Sequence, residues 1–253
     1  MIDIHTHIMP GVDDGAKNLS MAIRMLEHAA TGGTKHIILT PHCAPAYDFY
    51  NYNGDDLARS FAQLQFAVKQ SKIPITIHPG MEILFENRKE FLSHMNDYFT
   101  LCGSRYFLIE YYFDVTEKGL LEGVETVQEC GCVPIIAHPE RYESVQKNCL
   151  SEEGTLIREL CRRGTLLQVN KGSLSGKHGA DSLRVGEWLL VQDLVDFVAS
   201  DAHHPVHRNA SLKHVEDYIR KSFGKERAKK LFWDNPNCII KDKEIHRKKT
   251  GVI

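Results

Sequence analysis

Six short apolar runs in this chain end in side chains that bind metals, and that recurrence constrains the fold more than any other feature. Ile2-Asp3-Ile4 leads to His5-Thr6-His7, Ile37-Ile38-Leu39-Thr40-Pro41 leads to His42, and Ile75-Thr76-Ile77-His78-Pro79-Gly80-Met81 leads to Glu82. Tyr106-Phe107-Leu108-Ile109 then leads to Glu110, Val133-Pro134-Ile135-Ile136-Ala137 to His138, and Phe197-Val198-Ala199-Ser200 to Asp201 and His203. Side chains alternate along a strand, so His5 and His7 share a face with ~7 Å between them, close enough to grip one ion. When parallel strands close into a barrel, their C-terminal ends meet at one mouth, and catalytic residues come from several strand ends at once. The runs therefore predict an α/β barrel of seven strand-helix units, with these residues converging in space.

The stretches between the runs have helical periodicity. Helices are expected near 20–32, with Ile23, Leu26 and Ala30 on one face, and near 55–71, with Leu57, Phe61, Leu64 and Val68. Others fall near 86–96, 117–130, 152–163, 183–191, 210–222 and 225–233, while Leu166–Asn170 and Phe197–Ser200 read as the sixth and seventh strands. The 253 residues, 42% hydrophobic and 25% charged, suit a single domain over 1–240 with a substantial core. A charged tail, 241–253, is expected to be frayed or solvated. Net charge is −2, which gives no general attraction for nucleic acid or an anionic membrane. No uncharged apolar stretch reaches the ~18 residues of a membrane span and no leader pattern opens the chain, so a cytoplasmic location is expected. Seven scattered cysteines lack a disulfide-framework spacing and read as free thiols, with Cys130-Gly131-Cys132 ending a helix before the next strand.

The series His5-x-His7, Asp14 within Gly11-Val12-Asp13-Asp14-Gly15, Thr40-Pro41-His42, Gly80-Met81-Glu82, Ile109-Glu110, Ala137-His138-Pro139-Glu140-Arg141 and Ser200-Asp201-Ala202-His203 resembles the polymerase and histidinol phosphatase (PHP) superfamily. Within it, the chain is most similar to the bacterial metal-dependent protein tyrosine phosphatases of capsule and exopolysaccharide loci, from Met1 to about Pro236. That resemblance implies a distorted (β/α)7 TIM-like barrel, the PHP fold, holding a three-metal cluster, with manganese (Mn2+) as the family's metal. One ion would take His5, His7, Glu82 and Asp201, with Glu82 bridging to a second ion held by Glu110 and His138. The third would take Asp14, His42 and His203. Asp13 is the neighbouring rival of Asp14, and the family register selects Asp14. Many small-molecule phosphatases of the superfamily carry histidine where this chain has Asp14 and Glu110, which points to the tyrosine phosphatase branch. Arg141 and Arg208 are implied at the phosphate site, with Glu140 orienting Arg141. The implied substrate is a phosphotyrosine protein, a bacterial tyrosine kinase of polysaccharide synthesis.

Chemistry argues alongside the resemblance. Nine imidazole and carboxylate ligands without a thiolate suit manganese, iron or zinc and do not select among them. Close pairs of divalent ions acidify a bound water and clamp the transferring oxygens, so the expected nucleophile is a metal-bound hydroxide attacking phosphorus. Planar guanidinium forks match phosphoryl oxygens and stabilise the charge that gathers on them. A phenol leaving group, with a pKa of ~10, departs without a strong general acid. Cysteine-dependent tyrosine phosphatases need an arginine six residues after the nucleophile, and no cysteine here has one. Cys43, beside His42, points to the opposite strand face and reads as packing.

The run Tyr47-Asp48-Phe49-Tyr50-Asn51-Tyr52 follows the His42 strand end, and Tyr47 and Tyr50 are candidates to stack on a phosphotyrosine ring. The rival reading packs this loop onto the barrel rim. His78, His204 and His207 are candidates to support the ligands, while His28, His36, His94 and His214 read as packed or solvated. The alternative function is a small-molecule phosphomonoesterase of the histidinol-phosphatase type. A metal-dependent amidohydrolase and a non-catalytic metal protein are the remaining readings.

Overall fold

The computed structural model describes residues 1–151 and 153–247. In chain order its strands are β1 (Ile2–Asp3), β2 (His36–Leu39), β3 (His42–Ala44), β4 (Phe49–Tyr50), β5 (Thr76–Pro79), β6 (Glu82–Leu84), β7 (Tyr106–Glu110), β8 (Val133–Ala137), β9 (Leu166–Asn170) and β10 (Phe197–Ala199). β2 and β3 are one strand interrupted at Thr40-Pro41, where proline has no N–H for the ladder. β5 and β6 are another, interrupted at Gly80-Met81, where a Cβ on Gly80 would lie 2.7 Å from Ile38 Cγ2. Below the breaks β1, β2 and β5 run side by side; above them β3, β6, β7, β8, β9 and β10 do, all in parallel. Thr6 bridges in parallel to Ala202, the Asp201 N–H donates to His5 O at 2.9 Å, and the His7 N–H donates to Ala202 O at 2.9 Å. Those bonds join the last strand to the first, and the result is a distorted barrel of seven strand positions.

Helices α1 (Leu19–Thr31), α2 (Asp55–Gln70), α3 (Arg88–Ser93) and α4 (Glu117–Glu129) cover the first half. Asn18 caps α1 by accepting from the Met21 N–H, and Ala22, Met25, Leu26 and Ala29 form its buried face. The expected stripe was one residue off at Ile23 and Ala30, which pack only at its edge. The second half carries α5 (Glu143–Ser151), α6 (Thr155–Arg162), α7 (Lys171–Leu174), α8 (Ala180–Val191), α9 (Lys213–Phe223), α10 (Lys225–Lys229) and α11 (Asn235–Ile240). The sequence reading missed α5, which buries only Val145, Asn148 and Cys149 and so shows too short an apolar stripe. It also missed β4, an antiparallel strand on β3 inside the aromatic run. Glu129 ends α4 and Gly131 follows at φ +77°, as the Cys130-Gly131-Cys132 reading expected. All seven cysteines are free.

The charged tail departs from expectation over its described part. Asp242 accepts from Arg105, the Tyr106 hydroxyl donates to Lys243 O at 2.7 Å, and the Arg247 guanidinium reaches the buried Asp196 carboxylate. A charge run usually marks a solvated face; here its single arginine answers a carboxylate buried at the barrel floor. Lys248 and Lys249 lie outside the described residues. Among the described residues no helix is long and apolar enough to cross a membrane.

Candidate metal centre

The strand ends bring nine side chains to one mouth. His5 and His7 leave the end of β1, His42 opens β3, Glu82 opens β6, Glu110 closes β7, His138 follows β8, and Asp201 and His203 follow β10. Asp14 arrives from the loop before α1, which folds back onto β1 so closely that a Cβ on Gly15 would lie 2.0 Å from His7 O. Only glycine fits there. His138 and Asp201 hold positive φ values of 35° and 49°, a strained turn at the point where each strand delivers its ligand.

Donor atoms within 4.8 Å of one another fall into four overlapping groups: His7, Asp14, His42 and His203; His5, Glu82 and His138; His5, His7 and Asp201; and His42, Glu82 and Glu110. Together they contain every residue named as a ligand from the sequence. The grouping differs in detail, because Glu110 joins His42 and Glu82, while its nearest approach to His138 Nε2 is 3.9 Å. Two features favour a cation in the middle. His5 Nε2 and His7 Nε2 face each other at 3.1 Å while their Nδ1 atoms are engaged elsewhere, so two lone pairs converge. Glu82 Oε2 is buried with His5 Nε2 at 3.0 Å, His7 Nε2 at 3.2 Å and His42 Nδ1 at 3.1 Å, yet none of them is aligned for a hydrogen bond. Such a donor set, imidazole and carboxylate without thiolate, fits divalent transition ions.

The residues that aim these ligands were largely missed from the sequence. His5 Nδ1 bonds Gln168 Oε1 at 2.7 Å, Gln168 Nε2 donates to Asn170 Oδ1 at 2.8 Å, and Asn170 Nδ2 donates to Asp201 Oδ2 at 2.5 Å. Asp13 is not idle beside Asp14: its Oδ2 takes His7 Nδ1 at 2.8 Å and the His42 N–H at 3.2 Å. Fixing Nδ1 in this way turns Nε2 toward the centre. The available signal was two amides, Gln168 and Asn170, in a strand buried at every position. Glu140, expected to orient Arg141, is buried instead under β9, where its Oε1 accepts the Asn170 N–H at 3.0 Å. His78 sits below the strand break and meets His36 at 3.2 Å, away from the mouth. His204 accepts the Val206 N–H at 3.0 Å and stacks on His207, shaping its own loop.

Arg141 and Arg208 both reach the cleft, a cavity of about 440 Å³ that also touches Asp14, His42, Glu82, Glu110, His138 and Asp201. Arg208 Nη2 donates to Asp201 Oδ2, while Arg141 Nη1 stays 3.8 Å from the same oxygen. The Arg141 guanidinium lies over the Phe113 ring, 4.4 Å from its centroid, a cation–π contact that sets its plane. Tyr47 and Phe49 line the cleft, and Tyr47 meets Tyr112 edge-on at 5.9 Å. Tyr50, expected beside Tyr47, lies outside the lining, since β4 turns Phe49 toward His42 and strand alternation sends Tyr50 to solvent. Tyr52 packs away from the mouth against His94 and Tyr98.

The electrostatics are those of carboxylates and imidazoles that stabilise one another's charged forms against burial. Burial favours a protonated Asp201, but His5 and Arg208 hold its carboxyl well below the usual range, and His5 and His42 do the same for Glu82. Burial and His7 oppose protonation of His42, yet the Glu110 and Glu82 carboxylates raise it to about 9. Cys43 faces the apolar core, where burial pushes its thiol up to about 12 and leaves no thiolate near neutrality.

Comparison with known proteins bears directly on this arrangement. A sequence model of the family described as "Capsular polysaccharide synthesis, CpsB/CapC" matches residues 1–241. The chain belongs to the CpsB/CapC family. It is 31% identical to the tyrosine-protein phosphatase YwqE of Bacillus subtilis (strain 168) over 98% of this chain and 94% of that one. It is 30% identical to the tyrosine-protein phosphatase CpsB of Streptococcus pneumoniae over 97% of this chain and all of that one, 100%. A solved structure from work on YwqE and CpsB, described as unique metal-dependent tyrosine phosphatases, superposes with a TM-score of 0.87 at 30% identity, covering 98% of this chain and 97% of that chain.

Proposed function

We propose that this chain is a metal-dependent protein-tyrosine phosphatase that hydrolyses phosphotyrosine on a bacterial tyrosine kinase controlling capsular or exopolysaccharide synthesis, working in the cytoplasm with manganese. One observation carries the reading: nine metal-type ligands cluster at one mouth, and seven of them share a cleft with two guanidinium groups and a border of aromatic rings, in a member of a capsule-synthesis family. His5, His7, Asp14, His42, Glu82, Glu110, His138, Asp201 and His203 would hold the ions. When bound, divalent ions supply Lewis acidity to the attacking water and to the phosphoryl oxygens.

The chain's own side chains do the rest. Arg141 and Arg208 flank the cleft and present donors to equatorial phosphoryl oxygens, where negative charge builds as the ester bond breaks. Phe113 keeps the Arg141 plane in place. Asp13 and Gln168 fix the tautomers of His7 and His5, so both present Nε2 inward. Tyr47, Phe49 and Tyr112 edge a space suited to a phenyl phosphate, and the phenolate leaves without a dedicated acid.

The discriminating experiment is turnover of a phosphotyrosine peptide beside histidinol phosphate, after reconstitution with manganese, zinc or magnesium. The proposal expects the peptide to exceed histidinol phosphate in kcat/KM by ~100-fold or more, a margin on the scale of one lost set of site contacts. Manganese should outperform magnesium, because imidazole-rich sites disfavour the harder ion. Preference for histidinol phosphate would assign the chain to small-molecule phosphomonoester hydrolysis instead.

A further inference from the structure

Behind Arg208 lies a second cavity of about 320 Å³ that the metal centre does not use. It opens between α7 and the 204–218 segment, and Arg208 lines both it and the catalytic cleft. Its basic side chains are Lys171, Lys177, His178, His207, Arg208 and His214, and among the described residues lining it there is no carboxylate. In a chain of net charge −2, that local excess is out of proportion. Two carboxylates outside the lining touch it: Asp201, which takes one Arg208 arm, and Glu187, which accepts from the Tyr218 hydroxyl at 3.2 Å.

Lys171 and Lys177 bond no carboxylate directly, although the Asp3 and Asp201 charges act on Lys171 from farther off. The Lys171 ammonium bonds only neutral oxygens, the Asn209 carbonyl, Asn209 Oδ1 at 3.1 Å and Ser211 O at 2.8 Å. Lys177 is exposed and touches the His207 carbonyl at 3.2 Å. Arg208 gives one arm to Asp201, while its buried Nε–H has no partner. Burial, together with the positive charge of Arg141 and Arg208, lowers His178 to about 4, so near neutrality it is an uncharged ring in a positive field.

We infer that this cavity is a second anion subsite, which takes the carboxylate of an acidic residue flanking the phosphotyrosine in the substrate chain. The inference rests on the phosphotyrosine reading, because Arg208 then stands between the phosphoryl group on one side and the flanking carboxylate on the other. A charge-assisted contact to a partly buried cation is stronger than a neutral one, and Lys171 and Lys177, which bond only neutral oxygens, do not have to break an ion pair to make it, whereas Arg208 keeps its arm on Asp201. The subsite contributes to KM and leaves the chemical step alone.

The test uses phosphotyrosine peptides carrying one glutamate at each of the positions from four before to four after the phosphotyrosine, with an all-alanine reference. Turnover is paired with fluorescence anisotropy of labelled phosphonate analogues, which cannot be hydrolysed. Wild type should favour at least one glutamate position by ~10-fold in KM and in anisotropy Kd. Lys177→Glu should erase that preference, Lys177→Arg should keep it, and neither should alter hydrolysis of p-nitrophenyl phosphate. The inference is overturned if no glutamate position improves binding to wild type, or if the preference survives Lys177→Glu. Should p-nitrophenyl phosphate turn over while every peptide does not, the protein-phosphatase reading fails, and the anisotropy arm still decides the subsite.

Discussion

The two ends of β10 each bury an aspartate, and they could hardly be treated more differently. At the floor, Asp196 accepts the Leu167 N–H at 2.9 Å and Arg247 Nε at 3.0 Å, and Arg247 also spans to Cys161 O at 3.1 Å. Donors meet both its oxygens at bonding distance. At the mouth, Asp201 Oδ1 has His5 Nε2 at 3.6 Å, His7 Nε2 at 3.5 Å and His203 Nδ1 at 3.4 Å. These nitrogens crowd around Oδ1 at long range, while Oδ2 is met by Asn170 Nδ2 and Arg208 Nη2. Burial raises the Asp196 carboxyl despite Arg247, whereas the charges around Asp201 overcome its burial and lower it. Donors on both oxygens mark a structural carboxylate, and one oxygen ringed by imidazoles at longer range marks a place for an ion. Barrels in general keep stability at the strand N-termini and chemistry at the C-termini.

Substituting the two aspartates exposes that contrast most strongly. Asp201→Asn should cut kcat/KM on aryl phosphate by ~1000-fold, a loss far larger than the lower urea midpoint of the metal-free protein, from its lost Arg208 pair, can explain. Asp196→Asn strands a buried guanidinium and should cost ~3–5 kcal/mol of stability, with turnover per folded molecule kept within about twofold. Arg247→Ala should match it, and the double variant should be little worse than either alone, since both remove one interaction. An Asp196 variant that is stable but inactive would erase the distinction between the two ends.

The next effect lies wholly at the mouth. Arg141→Ala should retain metal and lose ~100-fold in kcat/KM, the scale of one transition-state donor. Phe113→Ala should lose a smaller ~10-fold, mostly in kcat, with Phe113→Tyr restoring it, because the ring acts by holding the guanidinium. If Phe113→Ala instead raises KM for peptides alone, the ring binds substrate and does not position Arg141.

The smallest effect is one of pH. His42, raised to about 9, carries a proton in the metal-free protein below that value. Metal must displace this proton and those that, against burial, nearby carboxylates favour on His5 and His7, so apparent affinity should rise with pH, by up to ~10-fold per unit for each proton released. Calorimetry in two buffers of different ionisation enthalpy counts the protons. An affinity flat between pH 6 and about 9 would remove His42 from the ligand set.

Much of this contrast could be read from the sequence, and the parts that could not share a cause. Ligands such as Glu82 and His138 announce themselves because metal-type side chains interrupt apolar strands at regular intervals. The barrel followed from the same rhythm. Gln168, Asn170 and Phe113 carry no such signal, since an amide or a phenyl ring gains its role only from what folding places beside it. Arg247 was invisible for the opposite reason: it sits in a run of charges that composition assigns to solvent, and its partner Asp196 is about fifty residues away in sequence. Tyr50 shows how a single unforeseen strand inverts a side chain, because β4 imposes alternation on a run that reads as a loop.

The central claim is that the mouth holds catalytic metal through Glu82, whose Oε2 has three imidazole nitrogens within 3.2 Å. Metal content by mass spectrometry, measured beside phosphotyrosine-peptide turnover for wild type and Glu82→Gln purified without chelator, tests it most directly. Wild type should carry metal, lose turnover on chelation and regain it with manganese, while Glu82→Gln should lose metal and turnover together with its fold intact. A metal-free wild type at full activity, or a Glu82→Gln enzyme that turns over normally, would contradict the account.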